Sequence, residues 1–217
     1  MKIKKIIDLT YPINEKTPIF PTDPEISVKP WSTFEKDGYS VHSIRFGSHS
    51  GTHVDSPFHF FADAPTIDQM PLERFIGTGV LFDVRGKEKG EAITLEDVKN
   101  HLEELAPGKI ALFMTGWNQY AGSPLYFHHP YLDPALVDEI LAKGVRAVFI
   151  DALSIDPSDN RSFYGHEKIL GVSGVIAENL TNLEQIDFPE PLIIALPLKL
   201  QGVDGSSVRA VAIEMGD

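Results

Sequence analysis

The chain has 217 residues and a formal charge of −12, from 19 Lys and Arg against 31 Asp and Glu. Phosphate backbones and anionic lipid attract concentrated positive charge, so nucleic acid and membrane surfaces are not expected partners. There is no cysteine, so a metal ion would have to be bound by His, Asp and Glu. No apolar run approaches the roughly 20 residues of a membrane helix, and no repeat or linker divides the chain. We therefore expect one cytoplasmic domain spanning residues 1–217.

Turn-forming residues dominate positions 10–30, which contain five prolines. An ordered arm or loop that could line a pocket is expected there, because proline is poorly tolerated inside helices. Further along, apolar runs rich in Val, Ile, Leu and Phe are bounded by turn residues. They predict strands near 41–47, 78–84, 109–115, 146–151, 191–198 and 207–214.

Two helices alternate with these strands. The first is predicted to begin at Thr94, with Asp97 completing a start that resembles a capping box, and to continue to Leu105. The second has Asp133 as its N-cap, proline at its first helical position and a glycine at 144 to end it. Strands and helices in alternation predict an α/β fold with a mixed sheet and packed helices.

Histidines are concentrated in one short segment. Three of the eight, His49, His53 and His59, lie within eleven residues that also contain Asp55. Imidazole and carboxylate groups are good ligands for Zn²⁺ or Mn²⁺, and a further histidine can transfer protons near neutral pH. The simpler interpretation is three polar histidines around a turn, with Asp55 capping a helix. The cluster as a whole favours a metal site.

Such a site requires a curled backbone. Fully extended, the chain from His49 to Asp55 would span about 20 Å, too far for ligands of one ion. Gly51 provides the freedom for a curl, and the Thr52 hydroxyl can fix a turn through a local hydrogen bond. A helix that puts His49 and His53 on one face is disfavoured by the Ser-Gly-Thr between them, so a loop is predicted.

The loop is followed by a helix start. Ser56 and Pro57 are typical of an N-cap and a first helical residue. A short helix from Pro57 would carry His59 back towards the loop, and its N-terminus would favour anionic groups nearby.

At residues 49–59, HSGTHVDSPFH resembles the HxGTHxDxPxH signature of the cyclase family, which includes bacterial kynurenine formamidases and isatin hydrolases. Each fixed position matches. The N-terminal DLTYPINEKTPIFPTDPEI, MTGW at 114–117 and IDALSID at 150–156 are similar to further family segments. His166 and Glu178, twelve residues apart, match the histidine and glutamate of a C-terminal family segment.

The resemblance implies a swivelling β/β/α fold and a two-metal centre. It implies one ion on His49, His53 and Asp55 and a second on Asp55, His166 and Glu178, with His59 as general acid and base. His and carboxylate ligands make zinc the default and manganese the alternative. The family is also associated with dimers or tetramers in which a neighbouring subunit helps to close the site, so a homo-oligomer is expected.

Aromatic residues are the candidates for substrate binding. Phe20 stands where the family commonly has tyrosine, and Trp117 of the MTGW segment is the second candidate, although tryptophan is more often a core anchor. Asp151 and Ser154 could support the metal-binding imidazoles, whose second nitrogen usually donates to an acceptor. The histidines at 128–129 are expected to be solvated or turn residues.

The resemblance implies hydrolysis of a non-peptide C–N bond in a small aryl formamide such as N-formylkynurenine, through a metal-activated water with His59 as acid and base. A cyclic amide of the isatin type is the alternative substrate. A non-catalytic metal-dependent protein that binds a small molecule would share the ligands but would not need His59. A metal-free oligomeric scaffold is a further possibility, and a serine hydrolase is disfavoured because no G-x-S-x-G motif is present.

Overall fold

The computed structural model describes residues 2–159 and 162–216 and confirms the mixed α/β fold. The strands are β1 (Lys2–Asp8), β2 (Ser27–Ser32), β3 (Val41–Arg45), β4 (His53–Asp55), β5 (Ile76–Asp83), β6 (Ala92–Ile93), β7 (Ile110–Met114), β8 (Tyr131–Leu132), β9 (Ala147–Ile150), β10 (Val175–Glu178), β11 (Leu192–Ile194), β12 (Gly205–Ser207) and β13 (Val211–Gly216). The α-helices are α1 (Phe34–Asp37), α2 (Leu95–Val98), α3 (Pro134–Ala142) and α4 (Tyr164–Gly171). Short 3₁₀ helices cover Pro57–His59, Ile67–Gln69, Leu72–Arg74, Leu102–Glu104, Trp117–Tyr120, Pro124–His128 and Leu183–Gln185.

One large sheet organises the described residues. Its nine strands lie in the order β1-β13-β11-β5-β7-β9-β10-β4-β12. The central strands β5, β7, β9 and β10 are parallel, and the outer pairings are antiparallel. Every residue of β7 is buried, as expected for a parallel strand covered on both faces. Two small sheets, β2 with β3 and β6 with β8, lie apart from it.

Alternate residues of the central strands enter two different hydrophobic clusters. On β7, Phe113 belongs to the cluster that contains α3, whereas Leu112 belongs to the cluster that contains Val54 of β4. On β9, Ile150 and Phe149 divide in the same way. This alternation of side chains across the sheet gives each face its own core. The polar segments that follow the parallel strands therefore emerge from a tightly held sheet, at the edge where α/β folds commonly bind ligands.

The second predicted helix is confirmed at both ends. The Asp133 carboxylate accepts a hydrogen bond from the Ala135 N–H at 2.9 Å, and Gly144 ends the helix with φ +82°.

The first predicted helix is much shorter than expected. The Thr94 N–H donates to the Asp97 carboxylate at 2.7 Å, so the cap is present, but α2 ends at Val98 and the continuation to Leu105 was wrong. The His101 N–H bonds to the Val98 carbonyl three residues back, and a separate 3₁₀ helix follows. Asn and His are weak helix formers at this point of the chain, so helix propensity does not carry it across the interruption.

All six predicted strands are present with bounds shifted by up to a few residues. The arm was predicted to extend to residue 30, but its last part is β2, which pairs with β3. The strands β1, β4, β6, β8, β10 and β12 were not predicted from the sequence. Of these, β4, β10 and β12 carry or border the candidate site.

Candidate metal centre

The predicted loop at the histidine cluster is in part a strand. His53–Asp55 forms β4, which pairs with β10 on one side and β12 on the other. Because strand side chains alternate, His53 and Asp55 share one face, while Val54 points into the core. The two neighbouring strands make an extended conformation more favourable than the loop that local residue preferences indicate.

The turn before β4 has the expected curl, but its fixation differs from the prediction. Gly51 has φ +64°, a conformation that glycine adopts without steric cost. The Thr52 hydroxyl does not make the expected local bond. It donates to the Asn179 carbonyl at 2.5 Å and accepts from the Tyr11 N–H at 3.0 Å. Thr52 therefore ties the turn to the end of β10 and to the N-terminal arm.

The five predicted ligands converge. Glu178 ends β10 directly opposite His53 in the register, and α4 brings in His166. His53 Nε2 lies 3.4 Å from Asp55 Oδ1, and His166 Nε2 lies 3.6 Å from Asp55 Oδ2. Ligand atoms lie within 4.8 Å of one another in the triad His49, His53 and Asp55, and likewise in the triad Asp55, His166 and Glu178. Asp55 is common to both triads.

Asp55 carries the clearest sign that this cluster fits a cation. Its side chain is 1% exposed, yet neither carboxylate oxygen accepts a hydrogen bond from the described residues. His49 Nδ1 approaches Oδ1 to 2.7 Å without hydrogen-bonding geometry. Buried carboxylate oxygens without partners are costly, and metal coordination is one way to satisfy them. The donor set therefore fits divalent cations shared across Asp55.

The electrostatics of the cluster also favour positive charge between its carboxylates. Burial raises the pKa of Glu178 to about 8. Burial lowers the pKa of His166, but its hydrogen bond with Asp156 and the nearby carboxylates of Asp55 and Glu178 outweigh this and raise the value to about 10. For Asp55, burial acts upward, but the charges of His49 and His53 hold the pKa well below its usual range.

Each ligand imidazole is oriented through its other nitrogen. His53 Nδ1 lies 2.8 Å from the Gly51 carbonyl, His166 Nδ1 lies 2.7 Å from Asp156 Oδ2, and His49 Nε2 lies 2.8 Å from Asp204 Oδ2. In each case the remaining nitrogen faces the ligand carboxylates. Contacts of this kind fix the ring orientation of metal-binding histidines.

The acceptor for His166 is not the aspartate that the sequence suggested. Asp151 instead accepts hydrogen bonds from the Thr115 and Gly116 N–H groups, so it fixes the turn of the MTGW segment. Asp156, the second aspartate of IDALSID, holds the imidazole. Ser154 lines the cavity beside the ligands.

His59 lies at the edge of the cluster. It ends the predicted short helix, Pro57–His59, although the Ser56 hydroxyl bonds to the Asp204 carbonyl instead of capping that helix. The His59 ring centroid is 4.1 Å from that of His49, and its side chain is 30% exposed. A cavity of about 340 Å³ joins His59 to the five ligands, and its apolar wall includes Phe20, Phe60 and Phe163.

Trp117, the other predicted substrate contact, is buried in the core instead of lining this cavity. Its indole N–H donates to the Leu125 carbonyl at 3.3 Å. His129, expected to be a solvated or turn residue, is also buried. Asp204 contacts the site but was not predicted, because an aspartate followed by glycine near the C-terminus has no distinctive spacing from the histidines.

Comparison with known proteins identifies the class. A family model described as "Putative cyclase" matches residues 7–157, more than half of the chain, and the chain belongs to this family. A kynurenine formamidase of Bacillus anthracis is 31% identical over 212 residues, covering 97% of this chain and 98% of that protein.

Solved structures share the fold. An isatin hydrolase bound to the product analogue thioisatinate superposes with a TM-score of 0.91 at 21% identity, covering 98% of this chain and 93% of that one. A structure described as a potential metal-dependent hydrolase with cyclase activity has a TM-score of 0.79 at 27% identity, covering 98% and 99%. The predicted family and fold are thereby confirmed. Within the described ranges, no helix is both long and apolar enough to cross a membrane.

Proposed function

We propose that the protein is a metal-dependent hydrolase that cleaves the C–N bond of a small aryl formamide such as N-formylkynurenine. The observation that carries the proposal is the buried Asp55 carboxylate, which lies between two ligand triads without a hydrogen bond from a described residue. The kynurenine formamidase relative, similar over nearly the whole chain, supports the substrate class. That substrate would place the protein in tryptophan catabolism.

The proposed centre holds two divalent ions, one on His49, His53 and Asp55 and the other on Asp55, His166 and Glu178. Zinc is the first candidate and manganese the second, because imidazole and carboxylate ligands suit both. Ions held there would polarise the substrate carbonyl and supply a water activated near neutral pH.

His59 performs the proton transfer in this proposal. Its Nδ1 faces Asp204 at 3.1 Å, which leaves Nε2 to take a proton from the attacking water and deliver it to the departing nitrogen. The phenyl rings of Phe20, Phe60 and Phe163 provide an apolar wall for an aryl group. Trp117 is proposed to support the fold. Its direct contact with substrate stays a prediction.

Hydrolysis of a cyclic amide of the isatin type is the second candidate, favoured by the TM-score of 0.91 to an isatin hydrolase. The bond that breaks is again a C–N bond, but the nitrogen stays attached to the product. A non-catalytic protein that binds metal and a small molecule would not require His59 in the cavity.

The test compares zinc-loaded, manganese-loaded and metal-free protein on N-formylkynurenine and on isatin. We expect hydrolysis of one substrate class that depends on metal, and a fall in kcat of about 100-fold or more in His59→Ala with metal content unchanged. His101→Ala, an exposed histidine outside the site, is the matched control. Hydrolysis of neither substrate above the metal-free rate would refute the enzyme, and full activity of His59→Ala would refute its role.

We also propose that the protein is a homo-oligomer, with a dimer as the first candidate. The hairpin of β2 and β3 exposes large apolar side chains, among them Trp31 at 78%, Phe34 at 70% and Ile44 at 58%. Exposed apolar clusters of this kind commonly mark protein interfaces, and a second copy of the chain is the occupant that we propose. Light scattering should show a dimer that Trp31→Glu weakens; a monomer in the unsubstituted protein would contradict this. A single domain over 1–217 and a cytoplasmic location complete the proposal.

A further inference from the structure

Asp204 is bound to the histidine segment at several points. It immediately precedes β12, which pairs with β4. Its backbone carbonyl accepts hydrogen bonds from the N–H and the hydroxyl of Ser56, each at 2.9 Å. Its carboxylate Oδ1 accepts from the Ser48 hydroxyl at 2.8 Å. The position of the carboxylate is therefore set by contacts to both ends of the segment that carries the ligands.

The other carboxylate oxygen faces two imidazoles at once. Oδ2 lies 2.8 Å from His49 Nε2 and 3.1 Å from His59 Nδ1. An ionised carboxylate only accepts hydrogen bonds, so the facing nitrogen of each ring carries the proton. In a neutral His59 this leaves Nε2 as the unprotonated nitrogen. In His49 the same contact directs Nδ1 towards Asp55, and Nδ1 lies 2.7 Å from Asp55 Oδ1.

We propose that Asp204 is a positioning residue that fixes the orientation and tautomer of His59 and, through the same oxygen, links His59 to the metal ligand His49. This inference rests on the proposed function, because it concerns the proton transfer assigned to His59. A carboxylate that holds the far nitrogen of a catalytic imidazole keeps the near nitrogen available, as the aspartate of a Ser-His-Asp triad does.

The same three side chains could also surround an ion. His49, His59 and Asp204 each offer a ligand atom within 4.8 Å of the others. The distances of 2.8 and 3.1 Å to Oδ2 are those of hydrogen bonds, so we assign the carboxylate to the imidazoles. A third ion per chain would overturn this assignment.

The test is a double-mutant cycle between Asp204→Asn and His59→Ala in the metal-loaded protein. Asparagine preserves the size of the side chain but removes its charge and presents an amide that can donate. We expect Asp204→Asn to lower kcat at least about 10-fold with KM changed less than about threefold, and to have an effect below about twofold in the His59→Ala background. Asp187→Asn, which removes a surface contact to Lys5, is the control for loss of a carboxylate.

Two further readouts separate positioning from a general structural effect. Long-range ¹⁵N correlation spectra of the metal-free protein should show the His59 proton on Nδ1, and Asp204→Asn should lose this preference. At saturating metal, analysis should give two ions per chain before and after the substitution, so that weaker binding through His49 does not enter the comparison.

The positioning role would be overturned if the two substitutions lowered kcat by factors that multiply in the double variant. An unchanged His59 tautomer in Asp204→Asn would overturn it as well. If the unsubstituted protein hydrolyses neither amide, the proposed function fails, while the tautomer spectra still decide whether Asp204 holds His59.

Discussion

Replacing Asp156 by Asn should weaken metal binding without removing any metal ligand. The Asp156 side chain is 2% exposed and accepts three hydrogen bonds. Oδ1 accepts from the Gly165 N–H at 2.8 Å, and Oδ2 accepts from the His166 N–H at 2.9 Å and from its Nδ1 at 2.7 Å. Asparagine has one carbonyl oxygen for these three donors, and its amide group would turn hydrogens towards the others. His166 would therefore lose its orienting partner or α4 would lose part of its N-terminal attachment.

The expected size follows from these contacts. Loss of an acceptor behind a metal-binding imidazole typically lowers metal affinity about 10- to 100-fold, which corresponds to about 1.4–2.7 kcal/mol. The free energy of unfolding should also fall, by about 1–3 kcal/mol, because a buried donor is left without an acceptor. Competition with a chromophoric zinc chelator would measure the metal affinity, and urea unfolding would measure the stability.

Asp151→Asn is the matched control. The residue is 1% exposed, and its carboxylate also accepts three hydrogen bonds, from the N–H and hydroxyl of Thr115 and from the Gly116 N–H. Among the described residues, the Asp151 carboxylate makes no hydrogen bond to a proposed metal ligand. We expect a comparable loss of stability with metal affinity within about threefold of the unsubstituted protein. Equal metal affinities of Asp156→Asn and the unsubstituted protein, or equal losses of affinity in Asp156→Asn and Asp151→Asn, would show that Asp156 does not support metal binding through His166.

Two further substitutions probe the acid stability of the fold and the packing of the site. Burial lowers the pKa of His129 from 6.5 to about 4, so the contribution of this residue to stability is complete above pH 6.5 and is lost as the pH falls towards 4. At pH 5 the loss is about 2 kcal/mol. In urea titrations, His129→Gln should therefore reduce by that amount the difference in the free energy of unfolding between pH 7.5 and pH 5. The same difference in the variant and the unsubstituted protein would contradict the pKa shift. Gly205→Ala would put a Cβ 2.9 Å from both His49 Cε1 and the Val54 carbonyl. It should therefore displace the imidazole and lower zinc affinity by about 10-fold or more in the chelator assay. Unchanged zinc affinity would contradict this expectation.

Local sequence signals were sufficient for the elements that depend on local contacts. The N-cap of Asp133 and the stop at Gly144 act within one helical turn of their own positions, and both are found. The apolar runs of the central strands are equally local. Predicting α2 as far as Leu105 failed, since the chain there turns through 3₁₀ bonds although its apolar spacing suits a longer helix.

In the candidate site, too, the features that depend on local contacts could be predicted and those that depend on distant contacts could not. The turn at Gly51 and the helix start at Pro57 could be predicted from residue types and spacing. The strand at His53–Asp55 could not, because it depends on pairing with β10 and β12, which lie far along the chain. The same separation hides Asp204, whose contacts to His49 and His59 span about 150 residues. His166 and Glu178 were identified by family resemblance and not by spacing.

In the proposed centre, two segments distant in the sequence surround a pair of divalent cations bridged by Asp55. Anomalous diffraction from crystals of the zinc-loaded or manganese-loaded protein tests it most directly, because it counts and locates the ions together. We expect two peaks per chain on either side of the Asp55 carboxylate, one beside His49 and His53 and the other beside His166 and Glu178. A single peak, or no peak among these side chains at saturating metal, would contradict it.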